Sequence, residues 1–132
     1  MDWKLEVIVL PVTDHDRAKA FYEQVGFHCD VDHRTEHFRV IQFTPPGSAC
    51  SVTLMLNQEH GPVQGLHLVV NDIEQAKAEL DGRGVECGDY FHFGETGQTP
   101  GLDPQRQRFG TYLQFQDPDG NGWLVQEVPD AT

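Results

Sequence analysis

At 132 residues the chain suits one domain able to bury its own core, and its 21 acidic against 9 basic residues give a formal charge of −12. Such a field repels phosphate backbones and anionic lipid and draws cations, which removes nucleic acid from the expected partners. No apolar run approaches the roughly 20 residues of a membrane span, and Met1 to Lys4 carries no basic-then-apolar leader, so the expected protein is cytoplasmic and without membrane contact. Three cysteines, Cys29, Cys50 and Cys87, lack metal-finger spacing and read as reduced thiols.

Leu5 to Leu10 is apolar except for Glu6 and is halted by Pro11, which predicts a first strand covered on both faces. Asp14 then caps a helix whose apolar positions Ala18, Phe21, Tyr22 and Val25 recur at helical spacing, with Gly26 taking the left-handed end. Phe27 to Arg34 and Phe38 to Phe43 read as strands, Pro45 to Ser48 as a turn, and Cys50 to Leu56 as a fourth strand. After a connector from Gln58 to Pro62, Leu66, Leu68 and Val70 alternate with Gly65, His67 and Val69 in a strand over 64–71. Asp72 repeats the cap, Ile73, Ala76 and Leu80 form the helical stripe, and Gly82 and Gly84 close it. Val85 to Phe93 predicts a further strand, and Gly94 to Gly110 a long loop of the kind usually kept for function. Thr111 to Gln116 and Gly122 to Val128 form a hairpin around Asp117-Pro118-Asp119-Gly120, whose proline and glycine suit a type I turn. That turn accounts for both carboxylates without chemistry.

The two helical stretches are copies at a constant offset, pairing Val12 with Val70, Asp14 with Asp72, Ala18-Lys19-Ala20 with Ala76-Lys77-Ala78, Gly26 with Gly84 and Cys29 with Cys87. One supersecondary unit is therefore used twice, as two βαβββ modules spanning about 3–57 and about 64–129 of a single domain, 1–132. Each module covers one sheet face with its helix. If the other two faces meet, a concave space lies between them, and ligand sites favour such clefts.

Val12-Thr13-Asp14 with Ala18, Phe21-Tyr22 and Gly26-Phe27, the second Val70-Asn71-Asp72, and Asp117-Pro118-Asp119-Gly120-Asn121 together resemble the vicinal oxygen chelate superfamily. That superfamily includes glyoxalase I, extradiol dioxygenases and the bleomycin and fosfomycin resistance proteins. The resemblance implies an α+β fold of tandem βαβββ modules forming a cup-shaped mixed sheet with helices outside, commonly in a homodimer. Metal-using members place a His, Gln or Glu on the first strand of each module and a Glu on the last; the matching positions here are Val7, Gly65 and Leu124, none of which can ligate a divalent cation. The remaining position falls near Thr53 or Met55, poor ligands for hard cations, so no metal and no cofactor is expected.

His67 shares a strand face with Gly65 and is either a base near neutral pH or a half-buried histidine satisfied by a carbonyl. Gln126, on the face of Leu124, is a ligand hydrogen-bonder or a gap filler. Tyr90 and His92 share one face of the strand before the long loop, as an aromatic wall or as a core tyrosine beside a solvated histidine. Arg39 pairs with an anionic ligand or with one of the chain's many carboxylates. Met55 and Leu124 complete the expected substrate-binding set. Asp30, Asp32, His33, Glu36 and His37 read as a solvated loop with the makings of a stray metal site. Cys29 and Cys87 read as equivalent structural thiols with nothing basic beside them. Trp123, Val125, Val52 and Leu54 are expected under the helices.

The expected function is binding of a small organic molecule, with the negative charge favouring a cationic one, in a metal-free homodimer of the bleomycin-resistance type. The alternative is an enzyme of lyase, isomerase or dioxygenase type, either metal-independent with His67 as base or using a divalent metal at relocated ligands. A structural or regulatory domain with a vestigial pocket is the third reading.

Overall fold

The computed structural model describes residues 1–57, 59 and 61–131, so the connector expected over 58–62 lies partly outside the described residues. The chain divides into two compact units, one of residues 1–63 with 117–121 and one of 64–116 with 122–132.

The first unit runs β1 (Val7–Val12), α1 (His15–Val25), β2 (His28–Arg34), β3 (Arg39–Thr44) and β4 (Ser51–Leu56), and its sheet has the order β1-β4-β3-β2. Parallel pairing of β1 with β4, and antiparallel pairing elsewhere, is what a strand-helix-meander module requires. The Asp14 side chain accepts from the Arg17 amide at 3.1 Å, and Gly26 sits at φ 101° with its amide on the Tyr22 and Glu23 carbonyls, so both ends of α1 are satisfied locally. Under α1, Leu10, Val12, Ala18, Tyr22, Ile41 and Phe43 are fully buried, with Val52 and Leu54 beside them.

The strand expected to be covered on both faces is covered on one. Leu10 and Val12 face the helix, but Val7 and Val9 are exposed, Val9 by 46%. β1 is an edge strand, and the sheet's second face has no helix.

The turn 117–121 belongs to the first unit because it is hydrogen-bonded there. Tyr22 Oη donates to Asp117 Oδ2 at 2.7 Å, Asn121 Nδ2 donates to that same oxygen and to the Pro11 carbonyl, and the amides of Asp119 and Asn121 converge on Asp117 Oδ1. Thr13 and Arg17 hold Asp119. The turn closes with the Gly120 amide on the Asp117 carbonyl at 3.0 Å. Both carboxylates serve the turn: Asp117 through both oxygens and Asp119 through Oδ1.

The second unit runs β5 (Leu66–Val70), α2 (Ile73–Gly82), β6 (Phe91–Gly94), β7 (Gly97–Pro100), β8 (Thr111–Gln116) and β9 (Gly122–Glu127), in the order β5-β9-β8-β6-β7. Asp72 caps α2 through the amides of Glu74 and Gln75, and Gly84 takes φ 75° after it. Leu66, Ile73, Leu80, Leu113, Phe115, Trp123 and Val125 fill the space under α2, Phe115 and Trp123 stacked 6.0 Å apart.

Two expectations change here. The strand expected over 85–93 is a strand from Phe91, the stretch before it contributing one bridge, Cys87 to Phe115, the Gly88 amide on the Gln114 carbonyl and the Tyr90 carbonyl under the Gly101 amide. The expected long loop opens with β7, which folds back on β6 through Phe91↔Pro100 and Gly94↔Gly97, so this sheet has five strands. Gly-Gln-Thr-Pro carries no apolar alternation, and its hairpin partner supplies the pairing. The chain is thus α+β, two mixed sheets of four and five strands with one helix packed on each.

Candidate functional site

Strand alternation and register place Phe91 and Phe93 of β6, Tyr112 of β8, Leu124 and Gln126 of β9, and His67 and Val69 of β5 on the helix-free face of the five-stranded sheet. Cross-strand partners run His67 to Leu124, Val69 to Gln126, Gln126 to Tyr112, and Tyr112 to Phe91. The three rings form one cluster. Phe91 stacks on Tyr112 at 5.5 Å and 16°, and Phe93 stands nearly perpendicular to both, 6.0 Å from Phe91 and 5.6 Å from Tyr112. Gln126 Nε2 donates to the Tyr112 hydroxyl at 3.2 Å.

His67 is exposed, and its Nδ1 lies 2.7 Å from the Gly65 carbonyl. A carbonyl can only accept, so Nδ1 donates to it and Nε2 is the ring nitrogen left outside that contact. Gly65 has φ 81° and open space where a Cβ would stand, so this glycine serves the backbone turn that brings its carbonyl to His67.

His67, Gln126 and Leu124 thus share one face. Met55, 48% exposed, lies on the helix-free face of the other sheet, opposite Pro11. Three candidates fall on helix-side faces. Arg39 holds Asp32 through two parallel hydrogen bonds of 2.9 Å and Asp16 through one of 2.7 Å, so its guanidinium is taken by carboxylates of β2 and α1. Tyr90 lies toward α2, where burial and then Glu74 raise its phenol above the ordinary range. His92 gives Nδ1 to the Gly101 carbonyl at 2.8 Å and pairs with buried Thr111. The rings on the helix-free face are instead Phe91, Phe93 and Tyr112, one residue out of phase with the expected Tyr90 and His92.

The two aspartates of the polar stretch after Cys29 are likewise consumed internally. Asp30 accepts from Thr44, and Asp32 serves Arg39 and Lys19. Among the described residues no group of three or more His, Cys, Asp or Glu is arranged to hold a metal ion. A lysine does accompany each repeat-mate thiol, Lys77 lying 4.0 Å from Cys87 and Lys19 acting on Cys29. Burial outweighs them, and both thiols sit above the usual cysteine range, unsuited to nucleophilic work.

The segment 101–110 is tied to β9 from the helix side. Arg106 forks onto Glu127, which is 1% exposed and also accepts the Ile73 amide at 2.9 Å, and reaches Glu74 with its third nitrogen. The Arg106 hydrogen bonds hold the Glu127 carboxyl below its ordinary range against the opposing effect of burial. Arg106 and Phe109 both take positive φ, 49° and 61°, and the Phe109 amide bonds the Glu127 carbonyl at 2.8 Å.

The paired helix-capped modules and the Asp117 to Asn121 turn now have their match: residues 4–125 fit the Glyoxalase/Bleomycin resistance protein/Dioxygenase superfamily model, and the chain belongs to that family. Among solved structures it is similar to TnmS3, an antibiotic binding protein from Streptomyces sp. CB03234, with 30% identity, a TM-score of 0.74, and 96% of this chain and 97% of that one covered. It is also similar to a glyoxalase/bleomycin resistance protein from the same organism, with 30% identity, a TM-score of 0.70, and 94% and 100% covered. A sequence relative, the uncharacterized protein YetH of Bacillus subtilis (strain 168), is 27% identical over 130 residues, covering 94% of this chain and 98% of its own length.

Proposed function

We propose that this protein binds a small organic molecule of neutral or positive charge on the helix-free face of its five-stranded sheet, without a metal, as a sequestering rather than a catalytic protein. One observation carries the reading: that face presents rings, aliphatic side chains, the amides of Gln98, Gln114 and Gln126 and one imidazole, with neither carboxylate nor basic side chain among the described residues. Rings and neutral hydrogen-bonding groups are what a small-molecule site is made of. The donor set does not fit a divalent cation, because Val7, Gly65 and Leu124 stand at the positions where family members carry ligands. Similarity to an antibiotic binding protein supports the same reading. A cytoplasmic homodimer completes it, supported by the apolar side chains Val7, Val9, Val31, Val40 and Met55 that the four-stranded sheet leaves exposed.

A thermal-shift screen of cationic and neutral antibiotics, run beside elemental analysis, tests the reading. It expects a ligand that raises Tm in the presence of chelator, recovered unaltered, and no stoichiometric Zn, Ni, Fe or Mn. One metal per chain, removed only by chelation, contradicts it.

The Nε2 of His67, which has no hydrogen-bond partner among the described residues, favours a second reading, a metal-independent lyase or isomerase with His67 as general base. Recovery of altered ligand, abolished by His67→Ala, would establish it.

A further inference from the structure

We propose that the molecule held on this face is planar and aromatic, carries a carbonyl-type hydrogen-bond acceptor, and bears no negative charge; the proposal rests on the binding reading above. The first support is geometric. Phe91 and Tyr112 lie parallel within 16° while Phe93 turns its ring 89° and 76° to them, so the cluster forms a corner of two ring directions set by strand register. Phe93 is nevertheless 62% exposed. A phenylalanine held by two aromatic neighbours and still open to water offers a prepositioned surface, and a flat aromatic ring laid against the parallel pair meets the third ring edge to face.

The second support is the polarity of the one polar group inside the cluster. The Tyr112 hydroxyl already accepts from Gln126, and among the described residues nothing takes its proton in return. What this face offers at the rings is an O–H donor held in place, and its complement is an acceptor in the plane of the ligand.

Charge supplies the third. No lysine or arginine lies on this face among the described residues, and the chain carries −12, so an anion would be repelled with nothing to offset the loss of its hydration.

Three probes that share one skeleton separate these features: coumarin, its saturated counterpart octahydrocoumarin, and coumarin-3-carboxylate, each titrated by calorimetry into the full chain. Coumarin should bind at least about tenfold more tightly than octahydrocoumarin, the scale of one or two aromatic contacts. The carboxylate should bind more weakly than coumarin. Phe93→Ala should cost coumarin about tenfold. Tyr112→Phe, which keeps the ring and removes only the donor, should cost roughly three- to tenfold and narrow the gap between coumarin and a carbonyl-free analogue. Equal affinity for the flat and saturated lactones overturns the ligand class while leaving small-molecule binding intact. Failure of every probe to bind by about 5 mM overturns the class, and the antibiotic screen then decides the binding reading alone. A Phe93→Ala chain that dissociates from dimer to monomer with unchanged coumarin affinity would assign the rings to a second copy and overturn the proposal.

Discussion

Arg106 meets Glu127 through two parallel hydrogen bonds, Nε to Oε1 at 2.8 Å and Nη2 to Oε2 at 2.5 Å, and so ties the segment after β7 to a carboxylate buried on β9. Glu127 is the next residue after Gln126, whose amide orients Tyr112 on the opposite face. The ion pair is therefore a structural bond on the helix side of the strand that carries Gln126 on its other face.

Removing the arginine leaves a buried carboxylate with only the Ile73 amide. Arg106→Met should cost about 3 kcal/mol, toward the lower end for a broken buried pair because the arginine itself is partly exposed. Urea titration at neutral pH measures it. The sign of the pH dependence follows from the depressed Glu127 carboxyl. In the parent chain its contribution is present above the unfolded-state value near 4.5 and is lost as pH falls through the lower folded value. The variant should lose most at pH 7, and its deficit should shrink by pH 4, where Glu127 can take up a proton. A deficit independent of pH would contradict the role given to the pair.

Gly110 and Gly82 make opposite predictions. A Cβ at Gly110 would lie 2.3 Å from Asp103 Oδ2 and 3.0 Å from the Gln107 carbonyl, and Asp103 already accepts the amides of Gln105 and Gln107. Gly110→Ala should destabilise by about 1–3 kcal/mol. Gly82, at the end of α2, has nothing within 4 Å of such a Cβ, so Gly82→Ala should stabilise by about 0.5–1 kcal/mol. Melting temperatures of the two variants should move in opposite directions.

Tyr22→Phe tests the turn. It removes the buried donor to Asp117 Oδ2 while Asn121 Nδ2 remains, and should cost about 1–2 kcal/mol without altering ligand binding. Loss of binding at unchanged stability would place Asp117 among the functional residues.

Arg39 gives a parallel test. Since its nitrogens serve Asp32 and Asp16, Arg39→Met should leave ligand affinity unchanged in calorimetry, and a tenfold loss would place it back in the site.

The legible features were the local ones. Asp14 and Asp72 cap helices because a short carboxylate reaches its own first turn, and Gly26 ends one because only glycine takes φ near 101° without strain. His67 and Gln126 came out on one face because β5 and β9 alternate without a break. The rings of β6 were missed because Tyr90 and His92 were chosen by their place before the loop, whereas the strand begins at Phe91 and its register pairs Phe91 with Tyr112 and His92 with buried Thr111. β7 was hidden because Gly97 to Pro100 owes its extended form to β6 rather than to its own residues. The Arg106 and Glu127 pair spans β8 and a loop, a relationship that no spacing announces.

The most direct test of the account is amide chemical-shift mapping of the full chain with and without a stabilising ligand, in the presence of chelator. Perturbations concentrated at residues 67, 69, 91, 93, 112, 124 and 126 are the predicted result. Perturbations that appear only once a divalent metal is added, or that cluster at Arg39, Tyr90 and His92 on the helix sides, would contradict it.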